Sequence, residues 1–268
     1  MSFLRWAGSK KQIIPELLDY WSSGYNRYIE PFAGSASLFF AIGPESAILG
    51  DLNAELIETF AVVKSRPRAL WKLLQSFRGG KKAYYSIRAQ NPQGLAATQR
   101  VARFIYLNRF CFNGLYRTNL KGEFNVPYSP SKTGDLPTLD ELLEFSGKLK
   151  SAEFVAGDFA VTLSNVRKDD FVYLDPPYVV AGRRVFSEYG ADCFSEADLG
   201  RLKDELIRIN GLGAKFVVSY AQCSEAKEYF KNWPVKTVRI RRNIAGFAGA
   251  RKRAYELLIS NIISSNFR

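Results

Sequence analysis

The stretch Phe171-Val172-Tyr173-Leu174-Asp175-Pro176-Pro177-Tyr178 constrains the fold more than any other part of the chain. Four apolar residues predict a buried strand, and Asp-Pro-Pro stops it abruptly. Proline fixes its own φ and pushes the residue before it into an extended form, so the exit from the strand is rigid. That exit carries a carboxylate, backbone carbonyls that no ladder claims, and an aromatic ring. In open α/β sheets the carboxyl edge of the strands is where ligands bind. The set suits an exocyclic amino group on a flat base, which needs acceptors for two N–H bonds and a ring to stack on. Asp-Pro and Pro-Pro are also common loop dipeptides, so the motif alone fits a plain strand end as well.

Other segments repeat the pattern of a strand followed by chemistry. Arg27–Glu30 reads as a strand, Pro31-Phe32-Ala33-Gly34-Ser35-Ala36-Ser37 as a tight turn of small residues, and Leu38–Ala41 as the helix after it. Small residues let backbone approach a ligand, and the helix presents its N–H groups. Ser46–Asp51 is a second strand that ends in an acid 17 residues after Gly34. An acid at that spacing hydrogen-bonds ribose hydroxyls in nucleotide-binding βαβ units. Asp51 also fits as the N-cap of a helix over 54–64, a duty that Asn53 can take instead. Near the N-terminus, Trp6, Gly8 and Lys10 suggest a ligand approaching closely, although Trp6 also suits a core. They precede an amphipathic helix with Ile13, Ile14, Leu17, Leu18 and Trp21 on one face, Ser9 or Gln12 near its start and Pro15 in its first turn.

Later in the chain, residues 153–159 form a strand whose end carries Asp158 and Phe159. A polar loop, 179–194, is long enough for a mobile flap beside the site. Leu199, Leu202, Leu206 and Ile209 mark a helix. Strands follow over 215–220, 235–240 and 255–262, the last two as an antiparallel hairpin at the sheet edge.

Residues 58–142 break this alternation. Helical segments (67–77 and 98–108) surround a stretch without strand period in which basic and aromatic residues interleave, which predicts a mostly helical insertion. Its most suggestive part is Asn108–Asn119. Arginine and asparagine supply bidentate donors for base edges, and leucine and phenylalanine supply apolar contact or wedging; aromatic helix ends also serve as ordinary core. The net charge of +12 points to a polyanionic partner. It is clustered: eight basic residues and no acidic one lie between Tyr229 and Tyr255. With no histidine and three widely spaced cysteines, His-based triads are excluded and zinc sites disfavoured, so no metal is expected. No apolar run approaches a membrane span and no signal-peptide pattern is present, so a cytoplasmic protein is expected.

With these residues in view, the chain resembles the Dam-type DNA adenine methyltransferases. Leu-Arg-Trp-Ala-Gly-Ser-Lys (4–10) is similar to the family's N-terminal cofactor motif. Glu-Pro-Phe-Ala-Gly-Ser-Ala-Ser (30–37) matches its cofactor loop, Asp-Leu-Asn (51–53) its ribose-binding acid and Asp-Pro-Pro-Tyr (175–178) its catalytic motif. Asn108–Asn119, with Lys-Gly-Glu-Phe-Asn-Val-Pro-Tyr (121–128), is similar to its recognition segment. The motifs run in family order from residue 4 to about 262. Departures are Ser9 for the usual glycine, Arg5 for the usual lysine, and Ser129-Pro130-Ser131 where the family continues Gly-Arg-Tyr.

The resemblance implies an α/β, Rossmann-like S-adenosylmethionine-dependent methyltransferase sheet (1–57 and 143–268) with a mostly helical target-recognition insertion (58–142). It implies that Trp6, Lys10, Pro31, Phe32, Gly34, Asp51, Asp158, Phe159 and Asp175 surround S-adenosylmethionine. Asp175, Pro176, Pro177 and Tyr178 are the implied catalytic residues. Arg5, Arg109, Phe112, Asn113, Leu115, Arg117, Asn119, Pro127, Arg241 and Arg242 are the implied contacts to double-stranded DNA, with GATC as the expected target. The expected protein is monomeric, of bacterial or phage type, and free of metal. Two alternatives share such sites: methylation of an RNA base or a protein glutamine amide, and an inactive DNA-binding module of the same fold.

Overall fold

A computed structural model describes residues 3–6, 8–119, 121–130, 135–179, 194–241 and 253–262. Seven strands form one sheet: β1 (Tyr28–Glu30), β2 (Ala47–Asp51), β3 (Ala152–Ala156), β4 (Phe171–Leu174), β5 (Lys215–Ala221), β6 (Val235–Arg241) and β7 (Arg253–Ser260). Their order is β3-β2-β1-β4-β5-β7-β6. Strands β1 to β5 are mutually parallel, and β7 runs antiparallel to both β5 and β6. The expected hairpin thus closes one edge. Each strand expected from the sequence forms, with no end displaced by more than three residues, and the architecture is the Rossmann-like α/β sheet that the resemblance implies.

Helices α1 (Ile14–Leu18) and α2 (Ser37–Ile42) precede a helical run of α3 (Ala54–Ser65), α4 (Pro67–Ser76), α5 (Lys81–Arg88), α6 (Ala97–Phe110) and α7 (Leu139–Leu149). Then α8 (Phe159–Leu163), α9 (Glu196–Gly211) and α10 (Ser224–Tyr229) alternate with strands. Strand β4 is buried at all four residues. A parallel strand covered on both faces has no solvent side, which is why it reads as an unbroken apolar run. Phe171 and Tyr173 join a core with Tyr28, Phe39 and Phe60 on one face, while Val172 and Leu174 join Leu199, Leu202, Leu206 and Ile209 on the other. Burying each such side chain contributes about 1.5–3 kcal/mol. A third, smaller cluster gathers Tyr84, Ile87, Tyr106, Leu107, Cys111 and Val126. Helices α3 and α7 pack on each other and belong to the main core; the expected segment limits at 57/58 and 142/143 fall inside them.

The strand order reverses between β1 and β4, where Tyr28 pairs with Phe171 and Ile29 with Val172. The residues after these two strands therefore emerge side by side at the switch point, where doubly wound sheets bind ligands. One local expectation needs correction. A 3₁₀ turn over Lys11–Ile13 precedes α1, and neither Ser9 nor Gln12 caps it. The change from three to 3.6 residues per turn shifts the phase, so Ile13 and Leu17 are buried while Leu18 is exposed.

Candidate active site

At the end of β4, Asp175 is held by two neighbours. Lys10 Nζ lies 2.8 Å from Oδ1, and the Ser219 hydroxyl donates to the same oxygen at 3.0 Å. Ser219 on β5 is in turn bonded to the Tyr173 hydroxyl at 3.0 Å. Both partners meet Oδ1, so the carboxylate is oriented while Oδ2 stays available. Burial pushes the Asp175 carboxyl up from its ordinary range, and the Lys10 ammonium opposes that shift.

Lys10 is shared further. It donates to the Tyr178 hydroxyl at 2.7 Å and lies 3.2 Å from Glu256 Oε1, and the Tyr178 hydroxyl donates to that same oxygen at 2.6 Å. The Tyr178 ring stands edge-on to Tyr220 at 5.1 Å. Pro176 is buried and Pro177 exposed, and the Val179 N–H donates to the Tyr220 hydroxyl at 2.8 Å. The whole exit from β4 is thus fixed in direction by side chains from the N-terminal loop, β5 and β7. Burial acts first on Lys10 and lowers its pKa, but Asp175, Tyr178 and Glu256 outweigh it and the net shift is upward.

Across the switch point, the turn after β1 holds Ala33–Ser37. Gly34 has φ +49°, and a Cβ there would meet the Trp6 indole at 3.0 Å, so the position needs glycine for both conformation and space. Its N–H donates to Asp51 Oδ2 at 2.9 Å, and the Asn53 N–H donates to Oδ1 at 2.9 Å. Asn53 caps α3 by accepting from the Leu56 N–H. The capping duty therefore falls to Asn53, and Asp51 ties down the small-residue turn. Burial raises the Asp51 carboxyl to about 6 against those two N–H donors. Glu30, buried beside Tyr28 (3.0 Å), is pushed well up by burial.

Aromatic rings wall the turn. Trp6 stacks on Tyr116 at 6.0 Å, and the Tyr116 hydroxyl donates to Glu55 at 2.8 Å. Phe32 lies 5.4 Å from Phe159 and 6.0 Å from Phe194. Asp158 serves locally: it caps α8 through the Ala160 N–H and pairs with Arg201 at 2.6 Å, while the Arg201 guanidinium covers Phe159 at 4.8 Å.

The expected nucleic-acid residues gather around the end of α6. The Asn108 amide clamps the Arg5 backbone in both directions, at 2.9 and 2.6 Å, and Arg5 Nη1 donates to the Arg109 carbonyl. Arg109 is half-buried, and burial lowers its pKa. Bridges between Cys111 and Tyr128 and between Thr118 and Phe124 hold 111–118 and 124–128 as an antiparallel ribbon. On it, Phe112 is 48% exposed, with Asn113 (φ +56°) and Pro127 exposed beside it. Leu115 packs on the smaller core. Arg117 Nε donates to Asn125 Oδ1 at 2.8 Å. The Asn119 side chain is engaged in its own turn, with Glu123 and Lys121. Arg241 ends β6. Arg242, and nearly all of the 179–194 and 241–253 loops, lie outside the described residues.

The sequence reading missed Ser219, Glu256, Tyr220, Phe194 and Tyr116. Glu256 had a usable signal: a lone acid inside the apolar run Tyr255–Ile259 must find partners once buried. No helix among the described residues is long and apolar enough to cross a membrane.

Residues 6–244 match the family model described as D12 class N6 adenine-specific DNA methyltransferase. The chain is 30% identical to the Type II methyltransferase M1.LlaDCHI of Lactococcus lactis subsp. cremoris, over 97% of this chain and 94% of that protein. It is 32% identical to the Type II methyltransferase M.MjaIII of Methanocaldococcus jannaschii, over 97% and 98%. It is also 32% identical to the retron Ec67 DNA adenine methylase of Escherichia coli, over 96% and 90%. The chain belongs to the D12 class of N6 adenine-specific DNA methyltransferases.

Proposed function

We propose that this methyltransferase uses S-adenosylmethionine as donor and modifies an adenine that has left duplex DNA, with Asp175, Pro176, Pro177 and Tyr178 receiving the base. The observation that carries the reading is the oriented Asp175 carboxylate at the switch point, with both partners on Oδ1. The adenine amino nitrogen is a poor nucleophile because its lone pair is delocalised into the ring. Acceptance of its N–H bonds by Asp175 Oδ2 and the Pro176 carbonyl favours a pyramidal nitrogen and stabilises the positive charge that develops on it. The Tyr178 ring offers the stacking surface that a flipped base needs. The amino proton then has a carboxylate beside it.

The residues across the switch point suit the donor. Asp51 offers acceptors for a ribose diol, Phe32 and Phe159 flat apolar surface for an adenine ring, and Gly34 with Trp6 a close-walled turn. Asp51 and Asp175 set carboxyl groups on the two sides of the switch point, which suits a cationic sulfonium. When bound, S-adenosylmethionine supplies an activated methyl, so the chain needs neither histidine nor metal. Pro31, Lys10 and Asp158 complete the proposed surround, Lys10 through Asp175 and Asp158 through α8. Filter-binding with labelled donor on unmethylated duplex DNA, with RNA and protein as controls, tests the reading. Label on RNA or protein alone would overturn it.

Asp51→Ala is expected to weaken S-adenosylmethionine binding by about 1–3 kcal/mol, the cost of losing hydrogen bonds to a charged group. Calorimetry checks this; unchanged affinity would leave Asp51 with only its turn-holding duty. The pH dependence has a definite sign. The free protein holds Asp51 up to about 6, and donors from a ribose favour the ionised form. Affinity therefore tightens as pH rises through 6 and weakens below it.

The proposed recognition unit is the segment 58–142, working with Arg5, Arg241 and Arg242. Phe112 is exposed where a wedge is needed. Arg117 is braced by Asn125 with its remaining guanidinium donors free for the two acceptors of a guanine edge, and Leu115 and Pro127 offer apolar contact to a thymine methyl. GATC is the proposed target. Arg117→Ala should then relax discrimination at one base pair by about 1–3 kcal/mol. Single-molecule sequencing of DNA from expressing cells reads both; modified adenines in another motif would reject GATC. The cytoplasm of a bacterial or phage-infected cell is the proposed place of action, as a monomer.

A further inference from the structure

We infer that Glu256 on β7 is a positioning residue for methyl transfer, setting the orientation of Tyr178 and Lys10 and, through Lys10, of Asp175. The inference rests on the reading of Asp175–Tyr178 as the adenine site. Glu256 is 1% exposed. Its Oε1 takes the Tyr178 hydroxyl at 2.6 Å and lies 3.2 Å from Lys10 Nζ, while Oε2 is buried with no hydrogen-bond partner. A carboxylate buried with one oxygen unanswered is costly to keep for packing alone, yet its two contacts both lead to the motif at the end of β4.

The geometry explains what it does there. Tyr178 accepts from Lys10 and donates to Glu256 through one hydroxyl, and its ring edge rests on Tyr220. Those three contacts fix the ring plane on which a flipped base would stack. Lys10 has three N–H donors, and Asp175, Tyr178 and Glu256 surround it. The ammonium is therefore shared between two carboxylates. It anchors Asp175 by Oδ1 without neutralising it, so Oδ2 keeps its strength as an acceptor. Take Glu256 away and Asp175 is the one carboxylate left to Lys10, beside the Tyr178 hydroxyl and the Gly8 carbonyl, while Tyr178 loses Glu256 as its acceptor.

The test is single-turnover methyl transfer on a duplex oligonucleotide that the wild type methylates, with both reactants saturating. Wild type, D175A, E256Q, Y178F and E256Q/Y178F are run together. E256Q keeps the shape and removes the charge. Its rate should fall about 10- to 100-fold, the scale expected when reacting groups are misplaced by about 1 Å. The KM values for DNA and S-adenosylmethionine should stay within about threefold, the mark of an interaction used in the transition state. The double variant should be no slower than the slower single, because both lesions break one unit; a purely structural loss would multiply instead. An E256Q rate within about threefold of wild type, or multiplied losses in the double variant, overturns the positioning role. Should E256Q not fold, E256D takes its place under the same two expectations, since it keeps the charge and withdraws it from Tyr178. Failure of the underlying reading shows separately, as full activity of D175A.

Discussion

Asp175→Ala is expected to reduce methyl transfer to no more than a few per cent of the wild-type rate while the fold survives. In the proposed mechanism the carboxylate accepts from the adenine amino group, and removing an electrostatic stabiliser of this kind typically costs about 10²–10³ in rate. Survival of the fold follows from the contacts. Lys10 keeps Glu256 and Tyr178 as partners when Asp175 is lost, and Ser219 keeps Tyr173. No charge is left buried alone. The measurement is initial rate with labelled donor, beside a thermal melt and a duplex-binding titration. Substantial turnover by the variant would remove Asp175 from the chemistry, whatever its position.

Lys10→Ala is expected to have the largest effect on stability, and the effect should depend on pH. Without the ammonium, Asp175 and Glu256 are two carboxylates facing one enclosed volume. Breaking a buried pair by deleting one partner costs about 3–5 kcal/mol. Side-chain exposures of 12% for Lys10 and 21% for Asp175 place this case at the lower end, about 3 kcal/mol. In the wild type Lys10 is raised above its ordinary value, so its contribution is complete below about pH 10.4 and constant through the neutral range. In the variant at least one carboxylate is raised above its unfolded value of about 4, so the folded state holds the extra proton at low pH. Stability of the variant then falls as pH rises, and its deficit is larger at pH 8 than at pH 5. Urea melts at the two pH values measure it; equal deficits would show that the carboxylates do not depend on Lys10.

How much of this was legible in advance follows from the range over which each feature is determined. Strand β4 and its stop at Asp-Pro-Pro were readable because apolar runs and proline act on the chain locally. The small-residue turn after β1, the acid at Asp51 and the hairpin of β6 and β7 were readable for the same reason. Where local rules competed, reading failed. Leu18 was expected inside and is exposed, because a 3₁₀ turn changed the phase of α1. Asp51 and Asn53 competed for one cap, and only the backbone path showed that Asn53 caps while Asp51 holds Gly34. Asp158 caps α8 and pairs with Arg201, contacts that no local pattern announced.

By itself the sequence determined the order of strands along the chain, the residue types at the carboxyl edge, and the basic, aromatic character of residues 58–142. Those follow from periodicity, proline and composition, which are properties of neighbours in sequence. Only the tertiary structure decided that Lys10, Tyr178, Asp175, Ser219 and Glu256 form one unit. Lys10 and Tyr178 are 168 residues apart, and Tyr178 and Glu256 78 apart. No local rule pairs such residues. A lone acid in strand β7 announces that a partner is needed, but burial in a sheet whose order reverses between β1 and β4 chooses which partner it gets.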